Sequence, residues 1–159
     1  ISSYFKKIIT SAIEIAPYEE MLREDFNNME KGSSYLIISE PGEWGEFVIN
    51  QLNEIEGANI DFVVFYGDKS KCWMVQCVPP DMDHHFSQRV SLPEEIRGKS
   101  NQGEVTAEED AKVLDSFSPN IVFCHPAGFL AGTKDLESAI ALIEKTKELE
   151  NDKKIDLVD

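Results

Sequence analysis

The spacing of apolar residues divides the chain into a succession of short elements. Tyr4, Ile8, Ala12 and Ile15 recur at intervals of four, four and three, which predicts a helix near the start. Pro17 interrupts it, and Met21, Leu22, Phe26 and Met29 predict a second helix. Lys31-Gly32-Ser33-Ser34 stops that helix, Gly32 being suited to a left-handed cap. Tyr35-Leu36-Ile37-Ile38-Ser39 then reads as a short buried strand. Beyond the Pro41-Gly42 break, Trp44, Phe47, Val48 and Leu52 share one side of a helix predicted over about 44–55. Residues 60–66 and 72–78 are apolar runs joined by Gly67-Asp68-Lys69-Ser70-Lys71, which predicts a β-hairpin. Both runs carry few charges, as the centre of a covered sheet does.

The second half is less regular. Pro79-Pro80, Leu92-Pro93 and Gly98 mark the stretch 79–103 as irregular. Thr106 and Glu109 form a capping box for a helix running to about Phe117, with Val113 and Leu114 on its apolar side. Residues 120–125 read as a fourth strand, and Gly128 and Gly132 as the two ends of a compact loop. Asp135 caps a last helix that presents Leu136, Ala139, Ile140 and Ile143, after which the charge-rich stretch from Glu144 onward is expected to fray. These elements predict an α+β fold: a small mixed β-sheet that includes a β-hairpin, covered by four to five helices. A single domain over 1–159 is expected, with 1–30 as a helical lead-in and 144–159 as a charged tail. Ile1 in place of an initiator Met raises the expectation of a longer protein.

Charge narrows the possible partners. Fifteen basic residues stand against 30 acidic ones, a net charge of −15, so the average surface repels a phosphate backbone. Any nucleotide contact needs a local basic pocket or a neighbouring domain. With 42% hydrophobic residues the chain can build a core without disulfides or metal. Cys72, Cys77 and Cys124 are odd in number and lack C-x-x-C spacing, and each has apolar neighbours, so buried reduced thiols in an intracellular protein are expected. Cys72 and Cys77 lie five apart on one strand and must face opposite sides. No run approaches the roughly 18 apolar residues of a membrane span, so no membrane partner is expected.

Two segments carry candidate chemistry. Asp81-Met82-Asp83-His84-His85 places oxygen and nitrogen donors within five residues, a possible divalent-ion site built from Asp81, Asp83, His84 and His85. Its setting after two prolines also fits a solvated polar loop. The second segment, Phe123-Cys124-His125-Pro126-Ala127-Gly128-Phe129-Leu130-Ala131-Gly132, reads as a strand ending in an imidazole and a glycine-bracketed turn into a helix. Such a turn offers backbone N–H groups and a helix dipole to an anion.

Four strings in order, Trp73-x-Val75-Gln76-x-Val78, Phe86-x-x-Arg89, Leu92-Pro93-Glu94-x-x-Arg97-Gly98 and Phe123-x-His125-x-x-Gly128-Phe129-x-x-Gly132, resemble the carboxy-terminal part of the melanocyte-proliferating-gene family. The resemblance runs from about Ile37 to Ile143, with departures at Ile96, Pro126 and Ala131. It implies kinship with DHH-type metal-dependent phosphoesterases and a 3′-to-5′ RNA exonuclease activity. It places the metal ligands, for Mn²⁺ or Mg²⁺, in a preceding amino-terminal catalytic domain. That domain would be this chain's partner, leaving no catalytic residue and no cofactor here. Arg89, Arg97, His125, Gly128 and Gly132 become the candidates for holding the phosphate of RNA or another phosphodiester, the arginines as two-pronged donors and the glycines for close backbone approach. An acidic, non-catalytic interaction module is the alternative, and a self-contained metal hydrolase around Asp81–His85 a third reading.

Overall fold

The computed structural model describes residues 17–84, 87–101, 108–118 and 120–158. Among them are four helices: α1 (17–28), α2 (Gly45–Phe47), α3 (Glu108–Phe117) and α4 (Leu136–Val158). Five strands form one sheet: β1 (Tyr35–Ile37), β2 (Phe62–Gly67), β3 (Cys72–Cys77), β4 (Ile121–Cys124) and β5 (Leu130–Thr133). Their spatial order is β1-β2-β3-β5-β4. Only β1 and β2 run parallel; the other three pairings are antiparallel. The α+β class with a mixed sheet and a hairpin is therefore the observed fold. The helix at 4–15 and Thr106 of the capping box lie outside the described residues.

Alternation decides where each strand faces. Phe62, Val64, Val75, Cys77, Ala131, Ile121 and Cys124 point to one face, where they meet Leu114 of α3, Ala139, Leu142 and Ile143 of α4, and Leu92 and Ile96. On the other face, Leu36, Ile38, Val63 and Val78 pack under Leu22 of α1 and Phe47, Val48 and Leu52. Each fully buried Leu or Ile contributes roughly 1.5–3 kcal/mol. Cys72 packs with Met74 and Val122, away from Cys77, so the two thiols do face opposite sides. All three cysteines are free and buried.

Three expectations change. The strand at 35–39 is not buried throughout: Leu36 and Ile38 are enclosed, but Ile37 is exposed, because β1 is an edge strand with one covered face. The Gly128–Gly132 loop does not lead into a helix. Residues 130–133 are β5, an inner strand, and Gly132 is a ladder residue paired with Met74. A Cβ at Gly132 would lie 2.6 Å from Cε1 of Phe123, so the glycine makes room for that ring across the sheet. Finally, the stretch from Glu144 is helical, since α4 continues to Val158. Its inward stripe persists past Ile143 through Thr146, which is buried with its hydroxyl donating to the Leu142 carbonyl at 2.7 Å.

Two local devices position the irregular stretch between β3 and β4. The backbone of 98–101 runs along the outer edge of β4: the Gly98 N–H donates to the Cys124 carbonyl (2.9 Å), Cys124 to Lys99 (3.0 Å) and Asn101 to Val122 (2.7 Å). This covers an otherwise open strand edge. At the other end, the Arg89 N–H donates to the Val78 carbonyl and the Leu92 N–H to the Gly128 carbonyl. The two arginine-bearing turns are thereby tied to the sheet. The helix α4 starts where expected, with the Asp135 carboxylate accepting the Ser138 N–H at 2.7 Å. The Ser138 side chain, then this backbone bond, and the Asn120 side chain hold the carboxyl below its ordinary pKa.

Candidate functional site

Arg89 and Arg97 line one groove. Its walls are the 88–97 stretch and the middle of α4, with Glu95, Thr146, Glu150 and Lys153 also facing it, and its volume is about 220 Å³. Three cations and two carboxylates face this space, in a chain whose net charge is −15. The lining thus carries one cation more than carboxylates on an acidic molecule, with Arg89 paired to Asp61, and phosphate is drawn to such contrast.

Each arginine is fixed by a different kind of acceptor. Nε and one Nη of Arg97 both donate to the Leu92 carbonyl, at 3.0 and 2.8 Å. The side chain lies across Gly128, where a Cβ would come within 2.5 Å of its Nε. Gly128 has φ +76°, so it is glycine both for the backbone and for the guanidinium above it. Arg89 donates from Nε to the Asp61 carboxylate at 2.9 Å, and its Nη2 donates to the Asn59 side-chain oxygen. Asp61 is 3% exposed and takes Nζ of Lys147 on its other oxygen at 2.8 Å. A buried carboxylate thus bridges the irregular stretch and α4, across 86 positions of sequence.

His125 opens the β4–β5 turn. Its backbone is locked by bonds to Leu130 and Gly128, and its ring rests on Phe129 with centroids 4.5 Å apart. Nδ1 accepts the Ala127 N–H at 3.0 Å, so the neutral ring carries its proton on Nε2. That nitrogen has no protein partner among the described residues, and the residue is half-buried. His125 does not line the arginine groove; it shares only the turn that holds Gly128 against Arg97. Gly132 lies on β5, within the ladder. The helix-dipole anion cradle expected at Gly128–Gly132 is therefore absent, because a strand follows the turn.

The Asp81 and His84 side chains are committed to each other. The Asp81 carboxylate accepts the N–H of Asp83 and of His84, both at 2.9 Å, and faces His84 Nδ1 at 2.7 Å. This closes a 3₁₀ turn over Met82–His84, with both side chains more than half exposed, and the His84 contact keeps the Asp81 carboxyl below its usual range. Asp83 is exposed, and His85 lies outside the described residues. Among the described residues no group of three or more His, Cys, Asp or Glu is placed to hold a metal ion. Nor, among the described residues, is any helix long and apolar enough to cross a membrane.

Asp61 and Lys147 were not among the residues singled out from sequence. Asp61 left a trace, being the one charge in the apolar run 60–66. Lys147 left none, one lysine among many in a charged stretch.

Comparison with known proteins places the chain. A human protein, MYG1 exonuclease, is 28% identical over 130 residues, covering 80% of this chain and 32% of its own length. A Caenorhabditis elegans relative, MYG1 protein C27H6.8, is 31% identical over 121 residues, 74% of this chain and 33% of the relative. A Dictyostelium discoideum MYG1 protein is 36% identical over 100 residues, 63% of this chain and 27% of the relative. The chain spans about a third of the length of the curated relatives it matches. No solved structure matches it. A family model, described as "Uncharacterised protein family (UPF0160)", matches residues 1–146, and the chain therefore belongs to the MYG1 exonuclease family.

Proposed function

We propose that this chain is the substrate-side domain of a metal-dependent phosphoesterase of the exonuclease type, acting on RNA. The observation that carries this reading is the shared groove of Arg89 and Arg97, a cationic slot in a molecule of net charge −15. Arg97 is oriented by a backbone carbonyl, which leaves its full charge for a ligand. Arg89 is oriented by Asp61, which neutralises part of its field but fixes the guanidinium. A phosphodiester seated between them receives charge-assisted hydrogen bonds and is held in register for attack by chemistry supplied from elsewhere. His125 Nε2–H is one further donor for a substrate oxygen reaching the β4–β5 turn. The catalytic divalent ions belong, in this reading, to the part of the full-length relatives that this chain does not match, because the described residues offer no donor set for them.

Binding of a labelled single-stranded RNA to the 159-residue chain at low salt, followed by anisotropy, tests this. Arg97→Met and Arg89→Met should each weaken binding about tenfold, as loss of a charge-assisted contact does. Binding that is absent in the wild type, or that neither substitution weakens, overturns the proposal.

A further inference from the structure

Next to the arginine groove lies a second cavity, of about 370 Å³, lined by Asn59, Asp61, Pro80, Arg89, Val90 and Lys147. Arg89 borders both spaces. The charges around the second cavity do not cancel. Asp61 is its one carboxylate, and each of its oxygens is already taken, one by Arg89 Nε and one by Lys147 Nζ. The carboxylate is 4% exposed, so it is closed to further cations from solvent. Both cations remain 29% exposed. Lys147 has two further N–H donors and Arg89 a further Nη1, and these meet no protein acceptor among the described residues. The balance is two positive charges against one negative, with unused donors beside an open space and their chain ends held in place.

We propose that this cavity is a second phosphate subsite, with Lys147 and Arg89 as its ligands and Asp61 as the residue that positions both. Together with the arginine groove it sorts ligands by length. Arg89 is the shared post, with Arg97 on one side and Lys147 on the other. A strand with two consecutive phosphates engages all three cations, whereas a mononucleotide fills the groove alone. The inference rests on the phosphate-groove reading above. Lys147 lies one residue beyond the 1–146 span of the family-model match.

Isothermal titration of the full chain with two probes tests the subsite: a nucleoside monophosphate, and a dinucleotide carrying a terminal and a bridging phosphate. Lys147→Met should weaken the dinucleotide about fivefold to tenfold and shift the mononucleotide less than about twofold, as removal of one ionic ligand predicts. Lys147→Arg, which keeps the charge, should restore most of the loss. No effect on the dinucleotide, or an equal loss for both probes, overturns the subsite. The wild type gives a test that needs no substitution. The slope of log K against log salt should be steeper for the dinucleotide by about 0.7, the value for one extra phosphate on a single strand. Equal slopes overturn it. Failure of both probes to bind the wild type sinks the groove reading itself, whereas a Lys147-insensitive dinucleotide sinks only the second subsite.

Discussion

Gly128→Ala tests how Arg97 is held. The substitution meets two obstacles. The backbone at φ +76° is left-handed, which costs a residue with a Cβ roughly 1–2 kcal/mol. The new methyl would also stand 2.5 Å from Arg97 Nε and about 3 Å from its Cδ and Cζ, too close for either atom to stay. Arg97 must then lift off the Leu92 carbonyl, losing a two-pronged charged hydrogen bond worth roughly 1.5–3 kcal/mol. The expected loss is about 2.5–5 kcal/mol, or a fall in Tm of roughly 5–20 °C for a domain of this size. Urea unfolding followed by tryptophan fluorescence measures it, Trp44 being buried and Trp73 partly so. A double-mutant cycle separates the two terms. In an Arg97→Ala background, Gly128→Ala should cost only the backbone term, leaving a coupling of about 1.5–3 kcal/mol. Costs that add to within about 0.5 kcal/mol would refute the claim that Gly128 exists to seat the guanidinium.

Asp61→Ala leaves Arg89 and Lys147 without their shared carboxylate; discounted for their partial exposure, a loss of about 1–3 kcal/mol is expected in thermal melts, smaller in Asp61→Asn. Gly132→Ala should cost about 1–3 kcal/mol by overpacking against Phe123, and Phe123→Ala in the same chain should relieve part of it. Burial pushes the Cys77 thiol up to about 12 and Cys124 to about 11, from an ordinary 9.0. Unfolded thiols ionise first as pH rises, so this contribution is complete below pH 9 and is lost between about 9 and 12; unfolding at pH 8 and pH 10 should differ less in Cys77→Ala. Native thiols should be inert to a disulfide reagent at pH 8. The purified chain should hydrolyse no phosphodiester with Mn²⁺ or Mg²⁺, and EDTA-sensitive turnover would contradict the division of labour proposed above.

What the sequence determined by itself was local in origin. The 60–78 hairpin follows from two apolar runs and a polar loop between them, and Phe62 to Gly67 pair with Cys77 to Cys72 across it. Two-residue periodicity was enough to send Cys72 and Cys77 to opposite faces, and Asp135 was recognisable as a helix cap from its place before an apolar stripe. These features depend on neighbours within a few residues, so the order of residue types encodes them.

Tertiary structure decided the rest, for identifiable reasons. Glycine is used at a turn and beneath an aromatic ring alike, so Gly132 looked like a loop end until Phe123 was found across the sheet. The charged stretch from Glu144 looked like a tail because its content is polar, yet Thr146 continues the buried stripe and Lys147 is anchored by a carboxylate 86 positions earlier. Arg89 and Arg97 were legible as basic residues in an acidic chain, but their acceptors were not. One acceptor is a main-chain carbonyl, which every residue possesses, and the other is Asp61, which resembles any other of the 30 acidic residues until folding buries it. Long-range pairing of this kind leaves no periodic mark on the chain, because it is set by which surfaces meet when the sheet and α4 pack together.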